Sequence, residues 1–352
     1  MIKSSAILEI NLKNLIYNYI HLKKIAKNSF IGATIKANAY GIGDKEVFSC
    51  LYKNGCRHFF VATSSEGINL RRYFKKGKIY ILNGLENNNV KIFKKNMLIP
   101  ILNTEQEIKL INKSKIKFGL HIETGLNRLG INLKKSIEEI KNNSNITIII
   151  SHLASSEKKN SIFNKIQNNN FKIYKKIFKN KNIVYSLSNS MGINLGKEFH
   201  YNLVRPGISL YGGHYFTKMK KIVKPIVKLK AKILQIKQIK KNEYVGYNQT
   251  YKASRNLSVA VIGIGYGDGI SRKLGNKGHI YYKNFKFKII GRVSMDSITI
   301  DITKNKKIFK IGKYVEILNY KHGIDTLAKE CDTISNEILT SISKRVERIY
   351  QL

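Results

Sequence analysis

From about residue 30 to residue 211 the chain alternates two patterns of apolar residues. Short β-branched runs recur: FIGATIKA, HFFVAT, KIYILNG, LIPILN, KIKFGLHIE, ITIIISHLA, IVYSLSN and LVRPGISLYG. Between them lie polar-capped stretches with apolar residues at helical spacing, among them DKEVFSCLYKNG, TEQEIKLINK and SIEEIKNN. A further predicted helix precedes the first run, with Leu12, Leu15, Tyr19 and Leu22 on one face. Eight strands, each but the last followed by a helix, predict an N-terminal (β/α)8 TIM-like barrel in an α/β chain. A doubly wound open sheet requires a glycine-rich dinucleotide turn near its first strand, and KANAYGIG is not that turn.

After Tyr211 the period changes. KPIVKLKAKILQIKQI, SVAVIGIGYG, GHIYYKNFKFKIIGRVSM, SITIDI and YVEILNY read as strands joined by Gly, Asn and Asp turns. Two helical pieces follow, GIDTLAKEC and a segment from Ser335 to about Arg348. The expected organisation is a barrel over residues 1–218 and a mainly β C-terminal domain over 219–352, the latter of ordinary domain size.

Composition changes this picture little. A chain of 352 residues, 43% hydrophobic, buries one large or two moderate cores. Its formal charge of +42 would ordinarily point to nucleic acid or an anionic surface. Yet only 10 of its 64 basic residues are Arg, the residue of bidentate phosphate recognition, and the Lys are dispersed among many Asn and Ile. That mixture is what AT-rich coding favours, so no nucleic-acid partner is expected. Cys50, Cys56 and Cys331 have neither metal-ligand nor disulfide-framework spacing and read as buried small hydrophobes. No apolar run is long enough to span a bilayer, and MIKSSAILEINLKNL lacks a secretory core, so a cytoplasmic location without membrane attachment is expected.

The candidate chemistry collects where barrels build active sites, at the C-terminal ends of strands. Lys36 closes the first strand, Arg128 follows the fifth in ETGLNRLG, and His152 ends the sixth in IIISHLASSE. Ser190 ends the seventh in SLSNSMG, and Arg205 lies in the eighth in LVRPGISLYG. Any one alone reads as structural, above all a single lysine in so lysine-rich a chain. Their recurrence at equivalent strand ends carries the argument. The loops after the last two barrel strands often bind phosphate; Ser190 offers a hydroxyl there and Gly207 permits close backbone approach. A lysine able to form a Schiff base, together with a phosphate cradle, describes a pyridoxal 5'-phosphate (PLP) site.

IKANAYGIG closely resembles the PLP-lysine signature of alanine racemases, and ETGLNRLG, SHLASSE, LSNSMG, RPGISLYG, GYGDG and GRVSMD resemble that family's other motifs, in order and along essentially the whole chain. The resemblance implies a fold-type III PLP enzyme interconverting L- and D-alanine for peptidoglycan synthesis, a barrel plus a β domain working as a head-to-tail homodimer. It implies that Lys36 holds PLP, that Tyr40, Ser190, Gly207 and Ile208 bind its phosphate, and that His152 lies against its ring. It further implies that Arg205 donates to the pyridine nitrogen, Arg128 positions the substrate carboxylate, and Tyr266, Met295 and Asp296 act on the partner's site. The residue types suit racemisation, which removes a Cα proton on one face and returns it on the other. Lys36 and Tyr266 would be the two bases, the resemblance implying Lys36 for the D-alanine α-proton and Tyr266 for the L-alanine one. An arginine, which keeps its proton, would leave the pyridine nitrogen unprotonated and discourage side reactions.

Three positions depart from the family pattern. His121 stands where many members carry a lysine that becomes a carbamate, Glu123 replaces the usual Asp, and Asn336 falls near a position commonly held by a tyrosine. His58, His200, His214, His279 and His322 match no motif and read as structural or surface residues. Single-barrel PLP carriers lack the domain bearing GYGDG and GRVSMD, and the amino-acid decarboxylases of similar fold carry a different motif set.

Overall fold

A computed structural model describes residues 4–86, 89–112, 114–132, 140–178, 182–214 and 222–352. The first strand, β1 (Ala6–Asn11), is followed by a helix over Leu12–Ile25. Eight strands then form one parallel sheet: β2 (Phe30–Thr34), β3 (His58–Val61), β4 (Lys78–Ile81), β5 (Leu98–Leu102), β6 (Phe118–His121), β7 (Ile146–Ile150), β8 (Val184–Ser186) and β9 (Leu203–Val204). From β2 to β8 each pairs with its sequence neighbour, and β9 pairs with β2. Closure comes from Asn202 N donating to Tyr185 O at 3.1 Å and Arg205 N donating to Ser188 O at 2.8 Å. These strands are buried on both faces, hence their near-continuous apolar runs. Phe60, Tyr80, Ile101, Ile148, Ile150 and Leu203 fill one cluster of that core.

Helices cover the crossovers at Asp44–Lys53, Ser64–Tyr73, Val90–Lys95, Glu105–Asn112 and Ile162–Ile177. The first half of the predicted SIEEIKNN helix, residues 136–139, lies outside the described residues. After β8 the expected helix is instead two 3-10 turns, Gly192–Asn194 and Lys197–Phe199. The segment is short and interrupted by Gly192 and Gly196, which disfavour a continuous helix.

A second sheet is built around β10 (Val227–Ile239), with the small ribbon β11 (Tyr244–Val245) and β12 (Tyr251–Lys252) beyond it. Its remaining strands are β13 (Leu257–Ile262), β14 (His279–Tyr282), β15 (Phe285–Ile290), β16 (Ile298–Asp301), β17 (Tyr314–Leu318) and β18 (Glu347–Gln351). The order is β13-β16-β15-β14-β17-β10-β1-β18, and β10 also pairs with β13. A register shift between Ile233 and Gln235 accompanies that second pairing. All the pairings are antiparallel except β1 with β18.

Residues 1–15, 211–213 and 224–352 form one compact unit, and residues 16–210 and 214–223 form the other. The expected 218/219 boundary lies outside the described residues. Two expectations are corrected. The first fifteen residues belong to the β unit, because the alternating AILEIN pairs with β10 and β18. The predicted helix from Ser335 to about Arg348 ends at Ser341, and residues 347–351 form a strand.

Candidate active site

Lys36 is separated from β2 by Ile35 alone and begins a turn of unusual backbone. Ala37, Asn38, Ala39 and Tyr40 have φ of 53°, 54°, 51° and 57°, a single left-handed turn. Left-handed geometry costs an L-residue about 1–2 kcal/mol each, so local bonds must hold it. Glu66 supplies one, accepting from Ala37 N at 2.6 Å while also accepting from Ala62 N at 2.7 Å. It is the fourth residue of a Thr63–Glu66 capping box that starts the helix Ser64–Tyr73. Asn38 Oδ1 accepts from Asp44 N at 3.0 Å and ties the turn to the next helix. Burial, then Arg128 and Arg205 against the opposing pull of Glu66, lowers the Lys36 pKa from its usual value. A lowered amine is more often unprotonated near neutrality, which a nucleophile or a base requires.

Arg205 is buried just beyond β9. Its Nε donates to Ser186 Oγ at 2.9 Å, and its Nη2 donates to the carbonyls of Ser151 and Leu187. Burial and the nearby Arg128 lower its pKa to about 10, which leaves the guanidinium charged at neutral pH. His152, just past β7, is held well below the usual histidine value by burial, Arg205, Arg128, His121 and Lys36. Asn189 Oδ1 accepts from Gly192 N at 2.9 Å, which turns the Asn189 amide toward His152 Nε2 at 3.4 Å. His152 therefore accepts there as a neutral ring.

Ser190 Oγ accepts from Gly207 N at 2.9 Å and Ser209 N at 3.3 Å, leaving its hydroxyl hydrogen available to a further oxygen. Tyr40 and Ile208 are both buried. Gly207 is required because Tyr40 Oη occupies the space a Cβ there would take. The loops after β2, β8 and β9 thus meet in a small polar cradle.

His121 ends β6 and is buried. Asn103 Nδ2 donates to Leu82 O and Ile101 O, each at 3.0 Å, so its Oδ1 faces His121 Nδ1 at 3.0 Å. Nδ1 must therefore carry the hydrogen, and Nε2 is an acceptor. Burial, Arg205 and Arg128 push its pKa down to about 3. Nitrogen NMR should find His121 neutral, as the Nδ1–H tautomer, from pH 5 to 9; a transition near 6.5 would contradict this arrangement. The unfolded chain takes up that proton near pH 6.5 and the folded chain near 3, so folded stability falls as pH drops through this window. At pH 5 the loss attributable to His121 is about 2 kcal/mol, and His121→Asn should flatten the melting profile between pH 6.5 and 5.

The exposed Arg128 lies within electrostatic reach of Lys36, His121, His152 and Arg205. Glu123 does not orient it by hydrogen bonding to its side chain; its carboxylate accepts from Gly125 N and Asn127 N and shapes the loop that carries Arg128. The barrel unit therefore brings Lys36, Tyr40, Arg128, His152, Ser190, Arg205, Gly207 and Ile208 to one end of its strands. Tyr266, Met295 and Asp296 belong to the β unit. There Tyr266 N donates to Ser294 O and Gly267 N to Met295 O, both at 2.9 Å. Tyr266 and Met295 are exposed, at 42% and 53%.

Sequence reasoning missed the residues that hold these groups: Glu66, Asn103, Asn189 and Gln167. Gln167 Nε2 donates to His152 O at 3.0 Å and Thr124 Oγ1 at 3.2 Å, while its Oε1 accepts from Ala154 N. Only Glu66 left a local signal, the capping box TSSE. His58, bonded to Tyr80 Oη, and His200, bonded to Ile193 O, are structural as expected.

A lysine of lowered proton affinity, a hydroxyl-and-amide cradle and two further cations at one barrel mouth suit an anionic aldehyde. That is the donor set of the barrel-type PLP enzymes. Models of the alanine racemase N-terminal and C-terminal domains match residues 10–215 and 226–350. The alanine racemase of Rickettsia akari (strain Hartford) is 38% identical over 358 residues, covering 97% of this chain and 98% of that protein. The crystal structure of alanine racemase from Bartonella henselae with covalently bound pyridoxal phosphate superposes with a TM-score of 0.92 at 33% identity, covering 99% of this chain and all of that one. The Acinetobacter baumannii alanine racemase superposes with a TM-score of 0.90 at 28% identity, again covering 99% and 100%. The chain belongs to the alanine racemase family, PLP-dependent isomerases that interconvert L- and D-alanine. Among the described residues no helix is long and apolar enough to cross a membrane.

Proposed function

We propose that this chain racemises alanine by two-base proton transfer in a homodimer, supplying D-alanine for peptidoglycan in the cytoplasm. Bound pyridoxal phosphate supplies an electron sink that acidifies the Cα–H of an attached amino acid. Lys36 would hold the cofactor, and its amine would move the proton on one face. Tyr266 of the partner subunit serves the other face, and the partner's Met295 and the partner's Asp296 line the substrate side. Tyr40, Ser190, Gly207 and Ile208 would hold the cofactor's phosphate, with the Ser190 hydroxyl hydrogen as one donor. His152 would lie against the cofactor ring. Arg205 would face the cofactor's ring nitrogen and, keeping its own proton, would leave that nitrogen unprotonated, which favours proton exchange over side reactions. Arg128 receives the substrate carboxylate, and neutral His121 adds no charge beside it.

The lowered Lys36 amine, next to the cradle of Ser190 and Gly207, carries this reading. Purified protein with PLP should convert either pure enantiomer of alanine to a near-equal mixture, followed by chiral chromatography. Added bicarbonate should leave the rate unchanged, since a histidine forms no stable carbamate. Release of carbon dioxide, or unchanged optical purity, would refute the assignment.

A further inference from the structure

The turn bearing Tyr266 is held by an ion network centred on Arg345, which lies outside every motif of the sequence. Asp268, 6% exposed, splits its carboxylate. Its Oδ2 accepts from Gly265 N at 2.8 Å and closes the turn around Tyr266. Its Oδ1 accepts from Arg345 Nε at 2.7 Å. The same guanidinium reaches the other strand connection, where Nη2 donates to Asp296 Oδ1 at 2.7 Å and lies 3.5 Å from Met295 O. One Arg345 fork therefore spans both segments that present Tyr266, Met295 and Asp296.

Its own backbone is fixed in turn. Arg348 Nη1 donates to Ser343 O and Val346 O at 2.6 Å, and Nη2 donates to Ile342 O at 2.9 Å. Ser343 N donates to Asp268 O at 3.1 Å, closing the circuit. The fit is tight: a Cβ at Gly267 would lie 2.7 Å from Arg345 Nη2. A planar fork can serve two carboxylates in fixed directions, whereas a lysine ammonium is a single point charge on a flexible stem.

We propose that Arg345, acting through Asp268 and Asp296, is a positioning residue that sets where the Tyr266 phenol stands for proton transfer. This rests on the reading of Tyr266 as the base for one enantiomer. Arg345 reaches the Tyr266 turn through Asp268 and the neighbouring segment through Asp296, and what marks its hold on the phenol is a changed ratio of the two half-reactions instead of an equal slowing of both.

The test uses the holoenzyme with L- or D-alanine in deuterated water, with Tyr266→Phe measured alongside. Arg345→Lys should lower α-proton exchange of L-alanine about 10- to 100-fold and that of D-alanine less than about threefold, with cofactor content retained. Ethylguanidinium should recover part of the L-alanine rate in Arg345→Ala. Because both residues act as one unit, the double variant Tyr266→Phe/Arg345→Lys should be no slower than Tyr266→Phe alone. Independently of turnover, amide hydrogen exchange over residues 264–270 should quicken in Arg345→Lys. Gly267→Ala displaces the guanidinium without removing it and should shift the same ratio, which keeps the test open if Arg345→Lys fails to fold. If Tyr266→Phe unbalances the two enantiomers while the folded Arg345 and Gly267 variants slow both equally or neither, the inference is wrong. If Tyr266→Phe leaves them balanced, the reading of Tyr266 fails first and the inference falls with it.

Discussion

Lys36→Ala should abolish racemisation in both directions, by at least about 10⁴-fold, and remove the visible absorbance of covalently held PLP. The size follows from two losses. A positioned general base contributes about 10²–10⁴-fold, and the covalent attachment through the amine is lost with it. The structure adds a pH signature. Burial, Arg128 and Arg205 lower the Lys36 pKa from its ordinary value. Uptake of PLP by cofactor-free wild type should therefore reach its plateau at a pH below that at which an ordinary lysine deprotonates. A small alkylamine supplied to Lys36→Ala should restore some proton exchange, since the pocket keeps its neighbours. Full visible absorbance in Lys36→Ala, or racemisation within tenfold of wild type, would remove Lys36 from the centre of the reaction.

The barrel was legible because strands buried on both faces must be apolar without interruption, and the eight such runs fall on β2 to β9. The second sheet was legible strand by strand but not at its seam. β1 and β18 pair in parallel from opposite ends of the chain, and nothing local in AILEIN or ERIYQ announces a partner so distant. The predicted helix therefore runs on into Glu347 and Arg348, the first two residues of this strand, although the alternation of exposed and half-buried positions in ERIYQ is that of a strand.

The site residues that bear chemistry stood out because charged or hydroxyl-bearing groups at strand ends are conspicuous against apolar runs. Of the groups that aim them, Asn103 and Asn189 are short polar side chains in loops and Gln167 sits on the helix Ile162–Ile177, with nothing local to distinguish them from solvated ones. Asn103 fixes the His121 tautomer only because two carbonyls, Leu82 O and Ile101 O, converge on its amide. The left-handed turn from Ala37 to Tyr40 is hidden for the same reason. Two alanines and a tyrosine do not favour that backbone, and Glu66, which holds Ala37, comes from the next crossover helix. Arg345 is the extreme case, its two carboxylate partners lying far away in sequence.

Tyr266→Phe should slow proton abstraction from L-alanine by about 10²–10⁴-fold while changing that from D-alanine far less. The asymmetry is the informative part. Two bases on opposite faces each take the proton from one enantiomer, and the resemblance assigns L-alanine to Tyr266 and D-alanine to Lys36. Removing one hydroxyl leaves the ring, the turn closed by Asp268 and the backbone bonds to Ser294 and Met295 intact, so packing is not what is being measured. Solvent deuterium should thus still enter D-alanine at close to the wild-type rate, with the return step to L-alanine slow. Equal loss on both sides would overturn the assignment of faces. The same variant tests where the two bases reside, because Lys36 and Tyr266 belong to different units of the chain. If each site takes Lys36 from one subunit and Tyr266 from its partner, mixing Lys36→Ala with Tyr266→Phe chains should regenerate one intact site per mixed dimer. At equal concentrations and full exchange, half the dimers are mixed and each carries one working site of two, so activity should recover to about a quarter of wild type. No recovery, with subunit exchange demonstrated by mass, would place both bases in one chain.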